Sequence, residues 1–250
     1  MKRIFFAATA MAAALFASCD KETETINPMP PTTAVGAQVT ISLSGADPDT
    51  RAFFDTTAKA EAWESSLSTL SVFAFDNNGA LIIRRDFTPA ELASKSATFA
   101  LPKSTAGTEC SFYAVANYDA SSAKTQAALT ALVENSAAAY NGTFAEVSTA
   151  AKRSGGFVMS GSATKTIGAV NTTTNIGITL KRTVAKIAFQ AAVDPSFADK
   201  YSGSLTVNSV KLSKAASQSL VVAGTPTPGA MSYTHTQTPA TASGKYNALF

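Results

Sequence analysis

The chain has 250 residues, 46% of them apolar and only 15% charged, and its 20 Lys and Arg against 17 Asp and Glu leave a net charge of +3. So mild a balance excludes the strong positive field that nucleic-acid binding requires, so no nucleic-acid partner is expected. Ser and Thr fill roughly a quarter of the positions, which together with short, regular turn signals reads as a β-rich extracellular domain rather than a disordered chain.

Lys2 and Arg3 precede an apolar run from Ile4 to Phe16, then Ala17, Ser18 and Cys19. This is the pattern of a signal peptide. The run is too short for a transmembrane helix, which needs about 20 apolar residues to cross a core of about 30 Å. Leu15, Phe16, Ala17 and Ser18 ahead of a single cysteine resemble the lipobox of a bacterial lipoprotein. That resemblance implies diacylation of the Cys19 thiol, cleavage before Cys19 and acylation of its amine. The alternative is a plain secreted protein with an incidental cysteine. Two or more acyl chains, at about 0.8 kcal/mol per buried methylene, give stable anchoring. Loss of Lys2 and Arg3 with the signal lowers the net charge from +3 to +1. With Cys19 lipidated, Cys110 is the remaining thiol and no disulfide can form within the chain.

The expected organisation is a signal peptide over 1–18, a polar tether over 19–36, a β-sandwich domain over 37–193, and closing strands with the start of an incomplete carboxy-terminal domain over 194–250. Asp20, Lys21, Glu22 and Glu24 followed by Pro28, Pro30 and Pro31 make the tether. Val39, Ile41 and Leu43 alternate with Thr40 and Ser42, the period of a half-buried strand. A turn-rich stretch with Asp47, Pro48 and Asp49 then leads to Arg51 and Ala52, a loop expected at the surface. Leu67 to Phe75 and Ala80 to Phe87 form a hairpin across Asp76, Asn77, Asn78 and Gly79. A second hairpin is expected between Ala97–Leu101 and Cys110–Ala116, with Cys110, Phe112, Ala114 and Ala116 on one face and Cys110 a buried small hydrophobe.

Leu129, Leu132 and Val133 change the period to that of a helix, expected over Ala123 to Glu134 with Ser121 or Ser122 as its cap. Phe157 to Ser160 reads as a short strand. Thr174 to Val193 is the longest β-like segment, and its parity slips near Lys181 to Thr183, as at a bulge or a turn between two strands. A similar slip separates Leu205 and Val207 from Val210 and Leu212, and after Leu220 the Thr- and Pro-rich tail offers no evident core. Short strands, turn signals and one short helix in a connection predict an all-β, antiparallel Greek-key β-sandwich.

Nothing in the chain assembles into catalysis. His235 is the only histidine and reads as a solvated loop residue, so neither a triad nor a zinc site can be built, and no catalytic residue and no metal site are expected. No cofactor is expected beyond the covalent lipid on Cys19. Asp47, Asp49 and Asp55 lack the Gly and distal Glu of a calcium hand. Asp76, Asp86, Glu91, Glu109 and Asp119 fall at turns and strand ends, and Gly155 and Gly156 read as a turn into a strand rather than a phosphate loop.

Four strand segments, LSVFAFDNNGAL over Leu70–Leu81, FYAVANY over Phe112–Tyr118, FVMSG over Phe157–Gly161 and LKRTVAKIAF over Leu180–Phe189, occur in an order and spacing similar to those of the Bacteroidetes fimbrillins, the subunits of type V pili. The resemblance covers about residues 37 to 215. It implies a transthyretin-like β-sandwich exported as a lipoprotein precursor to the outer membrane. It further implies that an arginine-specific protease cuts after the first strand, and that a strand from another fimbrial subunit fills the exposed groove. In this sequence the cut falls between Arg51 and Ala52, and the displaced strand carries Val39, Ile41 and Leu43. Asp20, Glu22 and Glu24 around Lys21 resemble a surface-export signal, and Asp55, Thr56 and Thr57 match an O-glycosylation pattern with Thr56 as acceptor. The short stretch after Val193 departs from a family that usually carries a second domain. A lipid-retaining anchor or tip subunit is one alternative. A surface glycan-binding lipoprotein presenting Trp63, Tyr113, Tyr118 or Tyr140 is another.

Overall fold

The structure is a computed structural model that describes residues 36–45, 65–135, 155–184, 188–192, 194, 196–202, 207–222, 226–227, 231–236 and 245–249. Its elements in chain order are β1 (Ala37–Ser44), β2 (Leu70–Phe75), β3 (Leu81–Asp86), α1 (Pro89–Ser94), β4 (Ser96–Leu101), β5 (Glu109–Ala116), α2 (Gln126–Thr130), β6 (Val133–Asn135), β7 (Met159–Thr166), β8 (Thr173–Thr179), β9 (Lys181–Arg182) and β10 (Ala188–Ala192). They are followed by α3 (Phe197–Lys200), β11 (Ser209–Ala215), β12 (Gln218–Leu220), β13 (Pro226–Thr227), β14 (Met231–Thr236) and β15 (Lys245–Leu249).

A five-stranded sheet in the order β3-β2-β5-β7-β9 packs on a three-stranded sheet in the order β4-β1-β8. Their inner faces share one core. Val39, Ile41 and Leu43 of β1, Leu101 of β4 and Ile176 and Ile178 of β8 meet Leu70, Val72 and Ala74 of β2, Phe112 and Ala114 of β5 and Met159 of β7. Between these two sheets the chain crosses after β1, β3, β4, β7 and β8. These crossings give the sandwich its non-sequential strand order. All pairings among the named strands are antiparallel except β1 with β8, which is parallel.

The five-stranded sheet is covered on its other face too. Phe73 and Phe75 of β2, Val115 of β5 and Val158 pack with Ala120, Ala123 and Leu129 of the α2 region and with Val221 and Val222. Both faces of β2 are therefore dry, and all six of its residues are buried. A strand buried on two sides must be apolar at nearly every position, as LSVFAF is.

Several sequence expectations hold in detail. The β2–β3 turn closes through Asp76, whose Oδ1 accepts the Asn78 and Ala80 amides at 2.8 Å each, and Gly79 takes the expected positive φ of 76°. Cys110, Phe112, Ala114 and Ala116 share the inner face of β5, and Gly155 and Gly156 turn the chain toward Phe157. The parity slip in Thr174 to Val193 is a change of sheet at Leu180: β8 belongs to the three-stranded sheet and β9 to the five-stranded one.

Other expectations are corrected. β4 and β5 are not a hairpin: β4 pairs with β1 in the opposite sheet, because Pro102 and a 3-10 turn at Lys103–Thr105 carry the chain across the sandwich. The helix expected over Ala123 to Glu134 is only Gln126–Thr130, capped by Thr125 rather than Ser121 or Ser122. Val133–Asn135 is instead drawn into a strand by β12, with Leu132 O accepting the Val221 amide at 2.9 Å. Backbone pairing here outweighs a weak helical pattern.

α2 is also not the only helix. α1 carries a capping box, with Thr88 as cap, Pro89 in its first turn and Glu91 reaching back to the Thr88 amide. α3 follows Ser196. The tail beyond Leu220 is not coreless, since Val221 is fully buried. His235 lies on a paired strand opposite Val210, not in a loop. The second expected slip, between Leu205 and Val207 on one side and Val210 and Leu212 on the other, falls partly outside the described residues; the register shift that β11 does show lies further along, between Ser213 and Ala215, around Lys214 at φ 59°.

Candidate functional site

The feature with chemical potential is the place of the first strand. β1 is the central strand of its sheet, with both backbone edges bonded. It pairs with β4 from Ala37↔Leu101 to Ser42↔Ser96, and with β8 from Gln38↔Thr173 to Ser44↔Thr179. The ladders extend past its ends. The Leu43 amide donates to Lys95 O at 2.9 Å, the Gln38 amide to Thr172 O at 3.1 Å, and the Leu180 amide to Ser44 O at 2.8 Å.

Ala37, Val39 and Ile41 are fully buried and Leu43 nearly so. The alternating residues face outward, where the Thr40 and Thr98 hydroxyls pair at 2.8 Å and those of Ser44 and Thr179 at 3.1 Å. The sequence predicted this strand and its inward set correctly, and the structure adds its two neighbours.

β1 contributes to only one of the two cores. The cluster built on Phe73, Phe75, Val115, Leu129, Val158 and Val221 contains no residue of β1. Beyond β1 the described chain resumes at Ser65, and Asn117 holds that return point. Asn117 sits at φ 58°, a left-handed conformation that Asn tolerates better than most residues. Its Oδ1 accepts the Ser68 and Thr69 amides at 2.8 and 3.3 Å. Its Nδ2 donates to Ser66 O at 2.7 Å and Phe157 O at 2.8 Å. One buried side chain thus fixes the approaches to both β2 and β7 without help from β1. Sequence reasoning placed Asn117 in a familiar motif but gave it no role.

A second clamp joins the sheets at their other edge. Arg85 of β3 makes a two-pronged pair with Glu91 of α1 at 2.6 and 3.0 Å, and its guanidinium lies 5.5 Å from the centre of the Phe99 ring on β4. Burial pushes the Glu91 carboxyl up, but hydrogen bonds from Arg85 and Thr88 outweigh it and hold the group below its ordinary range.

Three more carboxylates have structural occupations. Asp86 binds Arg84 and Ser71, Asp76 caps its turn, and Asp119 is lowered by its hydrogen bonds from Ser121. Tyr113 and Tyr118 are partly buried against the second core with their hydroxyls engaged: the Tyr113 hydroxyl accepts Gln126 Nε2 at 2.8 Å and the Tyr118 hydroxyl donates to Val133 O at 3.1 Å. Among the described residues, no group of three His, Cys, Asp or Glu is placed to hold a metal, and no helix is long and apolar enough to cross a membrane. Cys19, Arg51, Ala52 and Thr56 lie outside the described residues, as do Asp47, Asp49, Asp55, Trp63 and Tyr140.

The model of one protein family, the major fimbrial subunit protein (FimA), matches residues 37–214, from the first residue of β1 to the bulge in β11. The chain belongs to the FimA family. Its place is therefore a fimbrial structural or accessory role at the cell surface, and this family member is not an enzyme.

Solved structures agree on the fold. A candidate cell adhesion protein from Parabacteroides distasonis is similar with a TM-score of 0.52 at 12% identity, over 86% of this chain and 70% of that one. The tip fimbrial protein Mfa3 from Porphyromonas gingivalis, truncated at its C-terminus, is similar with a TM-score of 0.50 at 14% identity, over 85% of this chain and 68% of that one. No curated protein matches the chain in sequence. The four strand segments read as fimbrillin-like thus fall inside the matched span of a fimbrial family.

Proposed function

We propose that this FimA-family chain is a fimbrial subunit exported as a lipoprotein through Cys19 and assembled by exchange of its first strand. An arginine-specific protease cuts between Arg51 and Ala52, β1 leaves together with the lipid anchor, and a strand from another fimbrial subunit takes its place. Residues 19–36 serve as the tether that holds the sandwich away from the outer membrane before the cut, and Thr56, beyond the cut, is the O-glycosylation acceptor.

The observation that carries this reading is the position of β1 in chain and fold together. It is the first described element in sequence yet the central strand of its sheet. A single cut in 46–64 frees it from every later element without unthreading the chain. Its departure strips bonds from β4 and β8 and opens an apolar slot, which is a template for strand addition.

The energies favour refilling. Val39, Ile41 and Leu43 contribute about 1.5–3 kcal/mol each by burial, a sum comparable to the roughly 5–15 kcal/mol that holds a whole domain folded. The second core and the Asn117 clamp remain in place, so the open form keeps a scaffold for the incoming strand.

The test is digestion of the purified chain with an arginine-specific protease. The expected result is a product beginning at Ala52 that forms ladders on unheated gels, with Arg51→Ala abolishing both. Exhaustive digestion that leaves the chain intact, or a product that stays monomeric, counts against the reading.

A further inference from the structure

Gly36 and Gly45 bracket β1, and neither neighbouring strand leaves room there for a side chain. A Cβ built on Gly36 would overlap the carbonyl oxygen of Leu101, at the end of β4. One built on Gly45 would overlap the carbonyl oxygen of Leu180, just beyond β8. Gly45 also has a φ of 82°, a conformation that L side chains rarely adopt. One end is thus closed by the antiparallel neighbour and the other by the parallel one. The obstructing atoms are backbone, so they do not swing aside as the tip of a flexible side chain would.

Between these gates the inward residues are Ala37, Val39, Ile41 and Leu43. The outward surface carries no charge: β1 contributes Gln38, Thr40, Ser42 and Ser44, β4 adds Ser96, Thr98 and Ala100, and β8 adds Thr173, Asn175, Gly177 and Thr179. No electrostatic code therefore selects what lies in the slot or where it stops. Period-two alternation is also blind to a shift by two residues, because the apolar set stays on the inner face.

The end gates supply what the pattern lacks. Sliding β1 by two residues in one direction brings Gln38 against the Leu101 carbonyl. Sliding it the other way brings Ala34 there and forces Leu43 into the left-handed position of Gly45.

We propose that Gly36 and Gly45 are the specificity-determining positions of the first-strand slot. They impose a frame with no side chain at either end and four inward side chains, rising from Ala to Leu, between them. For β1 this rests on the fold alone. For an incoming strand it rests on the strand exchange proposed above, and it names the partner's chemistry: an extended segment of another subunit that runs in the direction of β1, carries glycine at both ends of the frame and is free to vary on its outward face.

The test uses the full chain with a site-specific protease sequence inserted between Asp47 and Pro48, so that it does not depend on Arg51. After cutting, entry of a fluorescent peptide copying Gly36–Gly45 is followed by polarisation. It is compared with peptides carrying Gly36→Ala, Gly45→Ala, or the outward pair Thr40→Lys and Ser42→Lys. Each glycine change is expected to weaken binding at least about tenfold, as overpacking against backbone does, while the lysine peptide stays within about threefold. In the uncut chain, Gly36→Ala and Gly45→Ala are expected to accelerate amide exchange across 37–44 by a similar factor. Alanine peptides that bind as well as the native one, or uncut variants with unchanged exchange, overturn the gates. A native peptide that never enters, alongside faster exchange in the uncut variants, upholds the gates for β1 and removes strand exchange.

Discussion

Ile41→Ala is the substitution from which the packing of β1 is most directly read. Ile41 is fully buried in the shared core, opposite Ala97 on β4 and Ile176 on β8. Truncation removes its transfer energy and leaves a cavity between hydrogen-bonded strands that cannot close around it. The cost expected is about 2–5 kcal/mol, a large part of the roughly 5–15 kcal/mol available. At about 2–4 °C per kcal/mol for a chain of this size, the melting temperature falls by roughly 4–20 °C. Thr40→Ala is the internal control. It removes only the exposed hydroxyl pair with Thr98 and is expected to stay within about 0.5 kcal/mol. Urea unfolding followed by far-ultraviolet circular dichroism measures both, with the midpoint moving and the slope unchanged. Equal effects of the two variants, or an Ile41→Ala loss below about 1 kcal/mol, would refute the inward packing of β1.

Four further outcomes follow from the geometry. Asn117→Ala removes four hydrogen bonds at a left-handed position and is expected to cost at least about 2 kcal/mol, with faster amide exchange at Ser68 and Thr69 than at β8. Because the Glu91 carboxyl is held below its unfolded value, the stability it adds is present above the unfolded pKa. It is lost as the pH falls through the folded one, so an acid titration of unfolding free energy should be flatter in Glu91→Gln. Val221→Ala is expected to destabilise the whole sandwich by about 1–3 kcal/mol in one transition, and a separate early transition of the tail would contradict its place in the second core. Burial pushes the Cys110 thiol up, so a thiol reagent at neutral pH should label the native chain far more slowly than the unfolded one.

Where the sequence was legible, the reason is periodicity set against one core face. Val39, Ile41 and Leu43 alternate because β1 faces core on one side and solvent on the other, and Asp76 to Gly79 carry the chemistry of their turn. Strand partners were not legible. Ala97–Leu101 and Cys110–Ala116 have the pattern of a hairpin, and only the path through Pro102 and Lys103–Thr105 decides that they lie in opposite sheets.

The pattern over Ala123 to Glu134 overstates the helix because Leu129, Leu132 and Val133 fit a 3.6 period, while the strand that recruits Val133–Asn135 lies more than eighty residues away. α1 was missed although Thr88, Pro89 and Glu91 spell its cap, since six residues are too few for a period to show. Of the candidate site, the strand and its inward face could be read from alternation. The parallel neighbour, the glycine gates and the Asn117 clamp could not, because each depends on residues brought together from distant parts of the chain.

The most direct measurement of the account is the amino-terminal residue of this subunit in assembled fimbriae, read by mass spectrometry of the terminal peptide. Strand exchange predicts a terminus at Ala52, with Cys19, its lipid and all of β1 absent from the fibre. A subunit that retains acylated Cys19 with residues 37–44 still attached would contradict it and assign the chain to the anchor.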